Sequence, residues 1–298
     1  MSEGYDLVCA PHWSEDAENK GSVRGDSVDN APQADHIRFL FDPRLTLSAF
    51  AEQRRRFAST VADLSTEELA SPSRCTGWTV GDVLRHLVWC DLTMRRIWSG
   101  DGSISADFDP RLTPDKAVQE DRAIADEEIR ERYLLSTRTM VTDLDCADPQ
   151  RFGQPSVSPA GHVPWWMSAV HLCWDSSIHE RDVLLPLDRP VTQSDTETVP
   201  CLAYSLVLMS FFAGRDPLSV RIGTIKVLRE TGPVIVEEVT LSGESDDGVA
   251  SSANSCATNN PVKVIDAISG RGSLGDSLAG DAAVIHRLGG LARYFGSS

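Results

Sequence analysis

The chain has 298 residues, and its 44 acidic side chains outnumber 28 basic ones to give a net charge of −16. A hydrophobic share of 41% and a charged share of 24% are those of an ordinary soluble globular protein, long enough for two modest domains. The charge repels a phosphate backbone and argues against nucleic acid as a partner.

No run approaches the ~18 consecutive apolar residues of a membrane span. The opening MSEGYDLVCAPHWSEDAENKGS has no basic stretch followed by an apolar one, so it predicts neither membrane insertion nor secretion, and the expected location is the cytoplasm. Seven scattered cysteines without a C-x-x-C pair fit a reducing compartment and speak against a thiolate zinc cluster.

Residues 1 to 40 are polar and without sustained period, and read as a disordered extension in which Trp13 offers a local contact. From Asp42 an amphipathic helix is predicted, with Leu45, Leu47, Phe50, Phe57, Val61 and Leu64 on its apolar side and Arg54 to Arg56 on a solvated one. Trp78-Thr79 opens a second helix, capped by Thr79, with Asp82 at its third position and Gly100 at its end. A third, charge-laced helix is expected from Pro114 to Leu144. A loop, DPQRFGQPSVSPAGHVP, then leads to a fourth from Trp165 to Leu185, stopped by Pro186. Four such helices suggest a bundle over residues 41–188.

Beyond Pro190 an apolar helix, VPCLAYSLVLMSFFAG, precedes two alternating strands, LSVRIGTIKVLRE and VIVEEVTLSG, joined by a turn at Thr231-Gly232-Pro233. A loop of small polar residues and two short helices, around VKVIDAISG and DAAVIHRLGGLARYF, complete the chain. All seven tryptophans lie at or before Trp174, which supports a boundary near residue 188. The expected fold class is α+β: a four-helix bundle, then a smaller α+β domain over residues 189–298 with an antiparallel sheet.

In the fourth helix, His171, Asp175 and His179 recur every four residues and project from nearly one face. A carboxylate and an imidazole one turn apart can share a divalent cation, as the histidines of an H-E-x-x-H helix do, although the same spacing also arises as a plain surface pair. His86 lies on the apolar face of the second helix among Leu84, Leu87 and Val88. It reads either as a core histidine or, if the two helices are neighbours, as a third donor meeting Asp175 and His179 inside the bundle. Two histidines and one carboxylate leave coordination positions open, the arrangement of a catalytic rather than a structural zinc.

Two segments, CTGWTVGDVLRHLVW and DSSIHERDVLLPLD, resemble the mycothiol-dependent maleylpyruvate isomerase family of DinB-like metal-binding four-helix bundles. AISGRGSLGDSLAGDAAVIHRL is similar to the stretch in that family's second domain where a Gly-Arg pair precedes the final helix. The resemblance runs from about Asp42 to the end. It implies a divalent metal, zinc or a relative, held by His86, Asp175 and His179, with Asp175 standing where the family has Glu. It further implies mycothiol as a low-molecular-weight thiol cosubstrate and Arg271 as the catalytic arginine for a substrate carboxylate or developing enolate.

His171 matches no ligand of that family and reads as a group orienting Asp175 or as a surface histidine, while Arg181 and Asp182 read as structural. Gly270 to Gly275 fits G-x-G-x-x-G by letter, but it follows a helical run and no βαβ unit can form around it. Ser158, Ser168 and Ser176 lack a G-x-S-x-G elbow. The function expected is therefore an isomerase or S-transferase acting on a small electrophilic substrate. Its rivals are a diverged relative in specialised metabolism without thiol or metal chemistry, and a non-enzymatic ligand-binding bundle.

Overall fold

The structure, a computed structural model, describes residues 43–102, 109, 112–159, 161–213, 224–229, 232–236, 255–280, 282 and 285. The expected extension over residues 1–40 and nearly all of the expected last helix lie outside the described residues. The helix α1 (Pro43–Ala62) buries Leu47, Phe50, Phe57 and Val61, as its period implies, whereas Leu45 is exposed. The arginines of α1 do not form one solvated face. Arg55 is half exposed, but Arg54 is 1% exposed and paired with Asp91. Arg56 reaches Glu180 and Glu197.

A single turn, α2 (Thr66–Leu69), carries a reciprocal cap between Ser65 and Glu68. The helix α3 (Val80–Trp98) begins as its sequence dictates: the Thr79 hydroxyl accepts from the Asp82 backbone N–H and the Asp82 carboxylate accepts from that of Thr79. Gly100 follows its C-terminus at φ 80°, a left-handed conformation that suits glycine.

The single helix expected from Pro114 to Leu144 is two, α4 (Thr113–Glu120) and α5 (Asp126–Asp145). Arg85, buried on α3, explains the break. Its guanidinium takes the freed carbonyls of Asp121 and Ile124 and pairs with Asp126, while Arg122 in the break pairs with Asp82. A continuous helix would keep those carbonyls for itself and leave the buried Arg85 charge with Asp82 of its own helix.

The expected loop before the fourth helix holds a small antiparallel hairpin, β1 (Pro155–Ser158) and β2 (Gly161–Pro164), paired from Pro155↔Pro164 to Ser158↔Gly161. It leads into α6 (Trp165–Leu184), which is buried at almost every position. A helix enclosed on all sides is the centre of its bundle, and α6 packs against α1, α3 and α7 (Asp195–Ala213).

In the C-terminal part β3 (Thr224–Arg229) and β4 (Gly232–Val236) pair antiparallel, as expected, but Gly232 and Pro233, expected in the turn, lie within β4, and the outer parts of both expected strands lie outside the described residues. Part of the expected polar loop is a strand instead, β5 (Ser255–Thr258), which runs parallel to β3. It is followed by α8 (Pro261–Ile268), capped by the Asn260 side chain, and β6 (Ala279–Gly280) pairs antiparallel with β5. Sheet order is β4-β3-β5-β6. The chain is α+β, as expected, with a helical bundle ahead of a small sheet.

One apolar core joins the two parts: it runs from Phe50 of α1 through Val170 and Cys173 of α6 and Leu202 of α7 to Cys256, Val264 and Ile268. A second, around Phe57, Leu84, Leu87 and Tyr133, fills the space between α1, α3 and α5. All described residues fall in one compact unit. Among them, no helix is long and apolar enough to cross a membrane.

Candidate functional site

The buried face of α3, with Leu84, Leu87 and Val88, carries His86 inward, and α3 packs against α6. There the Asp175 Oδ1 atom lies 3.4 Å from His86 Nε2 and 3.6 Å from His179 Nε2. Its Oδ2 atom is 3.3 Å from His86 Nε2 yet is buried without a hydrogen bond. The imidazole centroids of His86 and His179 are 4.7 Å apart. The structure thus brings together all three residues that the sequence singled out as ligands.

Tetrahedral donors about 2.0–2.2 Å from a cation lie about 3.3–3.6 Å from one another. The two separations from Asp175 Oδ1 fall in that range, and the orphaned carboxylate oxygen is a donor in want of a positive partner. The residues present therefore fit a divalent ion. Although Asp175 is one methylene shorter than the Glu of the resembled family, it reaches both imidazoles.

The electrostatics agree with that reading. Burial alone would raise the Asp175 carboxyl, but His86 and His179 beside it hold it well below the usual carboxylate range. Burial lowers His179 more than the Asp175 charge raises it, which favours the neutral imidazole, the form that ligates. Its Nδ1 atom is 2.9 Å from Asp182 Oδ2. A carboxylate there keeps the proton on Nδ1 and leaves the lone pair of Nε2 facing Asp175.

Asp182 is also where Arg271 enters. The Arg271 guanidinium donates to Asp182 through Nε at 3.0 Å and Nη2 at 2.7 Å, and its Nη1 donates to the Ser269 carbonyl. Asp182 is fully buried; burial opposes its charge, but His179 and Arg271 outweigh it and hold its pKa far below the ordinary value. Arg271 thus lies beside the two-histidine centre, anchored one turn past His179.

Arg181 and Asp182 are structural, as expected: Arg181 donates to the Ser177 carbonyl within α6, and both residues also tie α6 to the C-terminal part. Arg181 pairs with Asp266 at the end of α8, and Arg74 pairs with both Asp182 and Asp266. His171 is neither a surface group nor seen bonded to Asp175. It is buried against Trp174 and Tyr204, and burial lowers its pKa to about 4. The G-x-G-x-x-G run follows α8, so it opens no βαβ unit. Ser168 serves the fold, donating to the Trp165 carbonyl and accepting from Trp98.

Sequence reasoning missed three neighbours of the centre. Cys75 Sγ is 3.1 Å from Asp182 Oδ2, 3.2 Å from Arg271 Nη2 and 3.7 Å from His179 Nδ1. Burial and the Asp182 charge push its thiol up to about 12 against the pull of Arg271. Cys90 Sγ, one turn past His86, is 3.5 Å from His86 Nε2. The Trp78 ring covers both imidazoles, with centroids 5.3 and 6.3 Å away, and its indole N–H is held by Asp115 of α4. Trp78 and Cys75 both stand within the CTGW segment, whose resemblance was read for its histidine alone, and the His86-Cys90 spacing repeats that of Asp175-His179.

Comparison with known proteins gives the same direction. Residues 50–184 match the family described as the mycothiol maleylpyruvate isomerase N-terminal domain, a span that ends with α6. Among solved structures the chain is similar to the mycothiol-dependent maleylpyruvate isomerase, with 12% identity and a TM-score of 0.54 over 80% of this chain and 92% of that one. It is similar also to a variant of that enzyme in which a histidine is replaced by alanine, with 11% identity and a TM-score of 0.51 over the same shares. At such identities the likeness is one of fold. No curated protein matches the sequence.

Proposed function

From the match of residues 50–184 to the mycothiol maleylpyruvate isomerase N-terminal domain family, we propose that this chain is a divalent-metal-dependent enzyme. It uses a low-molecular-weight thiol, mycothiol, on a small electrophilic substrate. One observation carries the reading: Asp175 Oδ1 stands between His86 Nε2 at 3.4 Å and His179 Nε2 at 3.6 Å, with Arg271 anchored next to them through Asp182. A divalent ion held by His86, Asp175 and His179, zinc or a relative, supplies Lewis acidity that stabilises a thiol as thiolate.

The chain's own groups do the rest. Asp182 holds the proton on His179 Nδ1 and fixes that ring. Trp78 covers the imidazoles and limits access of water to them. Arg271, a permanent cation, orients a substrate carboxylate or takes up negative charge that develops on an enolate oxygen. In isomerisation the thiolate adds to a conjugated double bond, the enolate so formed rotates about what is now a single bond, and the thiolate leaves with no net change in atoms. In S-transfer the thiolate displaces a leaving group and stays. Both reactions share the first step and the same residues.

The test is turnover of a conjugated cis-enoate by the purified protein. The expected result is conversion that requires mycothiol and falls at least a hundredfold in Arg271→Ala. Conversion independent of thiol, or none of any electrophile tried while a metal is bound, contradicts thiol chemistry and favours a binding protein.

A further inference from the structure

The two central helices present their donors in the same rhythm. On α6, Asp175 and His179 stand four residues apart; on α3, His86 and Cys90 do. Residues at that spacing share one helix face, and facing helices of a bundle build metal sites from such pairs. Cys90 is buried, its Sγ is 3.5 Å from His86 Nε2, and one ligand atom each of His86, Cys90 and Asp175 fall within 4.8 Å of one another.

For a tetrahedral cation, a nitrogen at about 2.0–2.1 Å and a sulfur at about 2.3 Å lie about 3.5 Å apart. The measured 3.5 Å is of that length. Sγ also lies 3.9 Å from His86 Nδ1, so the thiol rests beside the ring. Cys75 is placed differently: it faces Nδ1 of His179, the nitrogen committed to Asp182.

We propose that Cys90 is a fourth protein donor to the cation, making the centre His86, Cys90, Asp175 and His179, an inference that rests on the metal reading above. On binding, the sulfur–metal bond forms and the thiol proton passes to solvent. Asp175 and the Cys90 thiolate together neutralise a divalent ion, and the four positions of a tetrahedral centre are filled by the chain itself. An external thiol then enters either by displacing Cys90 or as a fifth donor, an expansion open to zinc. A coordination position that two histidines and one carboxylate would leave open is here guarded by an internal cysteine.

Cobalt(II) in place of the native ion reads this out without turnover. Wild-type protein loaded with cobalt, with no thiol added, is expected to show a sulfur-to-cobalt charge-transfer band in the near ultraviolet beside the visible d–d bands. Cys90→Ser is expected to lose the first and keep the second, and Cys75→Ser to keep both. Zinc X-ray absorption of the wild type needs no variant and is expected to show one sulfur at about 2.3 Å. Visible bands without a sulfur band, a sulfur band that survives Cys90→Ser, or a zinc shell of nitrogen and oxygen only overturns the assignment while leaving the metal reading intact. Failure to take up cobalt or zinc overturns both.

Discussion

Arg54 carries its charge in an enclosed setting: Asp91 pairs with it, Thr137 and Ser176 accept from it, and Ser136 donates to the other side of that pair at Asp91. Burial alone would lower the Arg54 pKa, and the Asp91 charge reverses the effect. Removing one member of such a pair leaves a buried charge alone, which costs about 3–5 kcal/mol. Asp91→Ala is therefore expected to lower the unfolding free energy by that amount in urea titrations. Arg55→Ala, breaking the exposed pair with Asp145, is expected to change it by about 0–1 kcal/mol. Equal effects would contradict this division. In the sequence the three arginines are indistinguishable, because only the position of Asp91, 37 residues away on α3, decides which of them is inside.

Elements were legible where their signals are local. The Thr79–Asp82 box and Gly100 mark the limits of α3, and the four-residue rhythm of α6 places Asp175 and His179 on one face. The break between α4 and α5 was not legible, because its cause is Arg85 on another helix. Nor was β5, whose pairing with β3 is parallel and non-local, so that its four short residues resemble the polar loop around them. The single turn α2 gives a test with a defined sign. The Ser65 backbone N–H, and after it Arg189, hold the Glu68 carboxyl below its ordinary value. Its ionised form is the one bound, so this contribution is complete above the unfolded value of about 4.3 and is lost as pH falls through the lower folded value. Glu68→Gln is expected to be less stable than wild type at neutral pH and to converge with it in acid. A difference that is the same at every pH would mean that charge at Glu68 plays no part.

At the scale of the molecule, bundle and sheet meet on one apolar core and on a set of ion pairs beside the proposed metal ligands. Arg181 and Arg74 pair with Asp266, and Arg271 with Asp182. The second part of the chain thereby places Arg271 beside His179 through Asp182. The proposed ligands, His86, Asp175 and His179, were singled out by spacings joined to a family resemblance, and the structure brings them together. Cys75, Cys90 and Trp78 were not singled out, since one cysteine or tryptophan in a helical segment carries no spacing of its own until the facing helix is known. The proposed function stands or falls on the ion. Metal analysis of the purified, dialysed protein is expected to find one divalent ion per chain in the wild type and none in His86→Ala or His179→Ala. A folded wild-type protein that holds no metal and takes none up on reconstitution would contradict it.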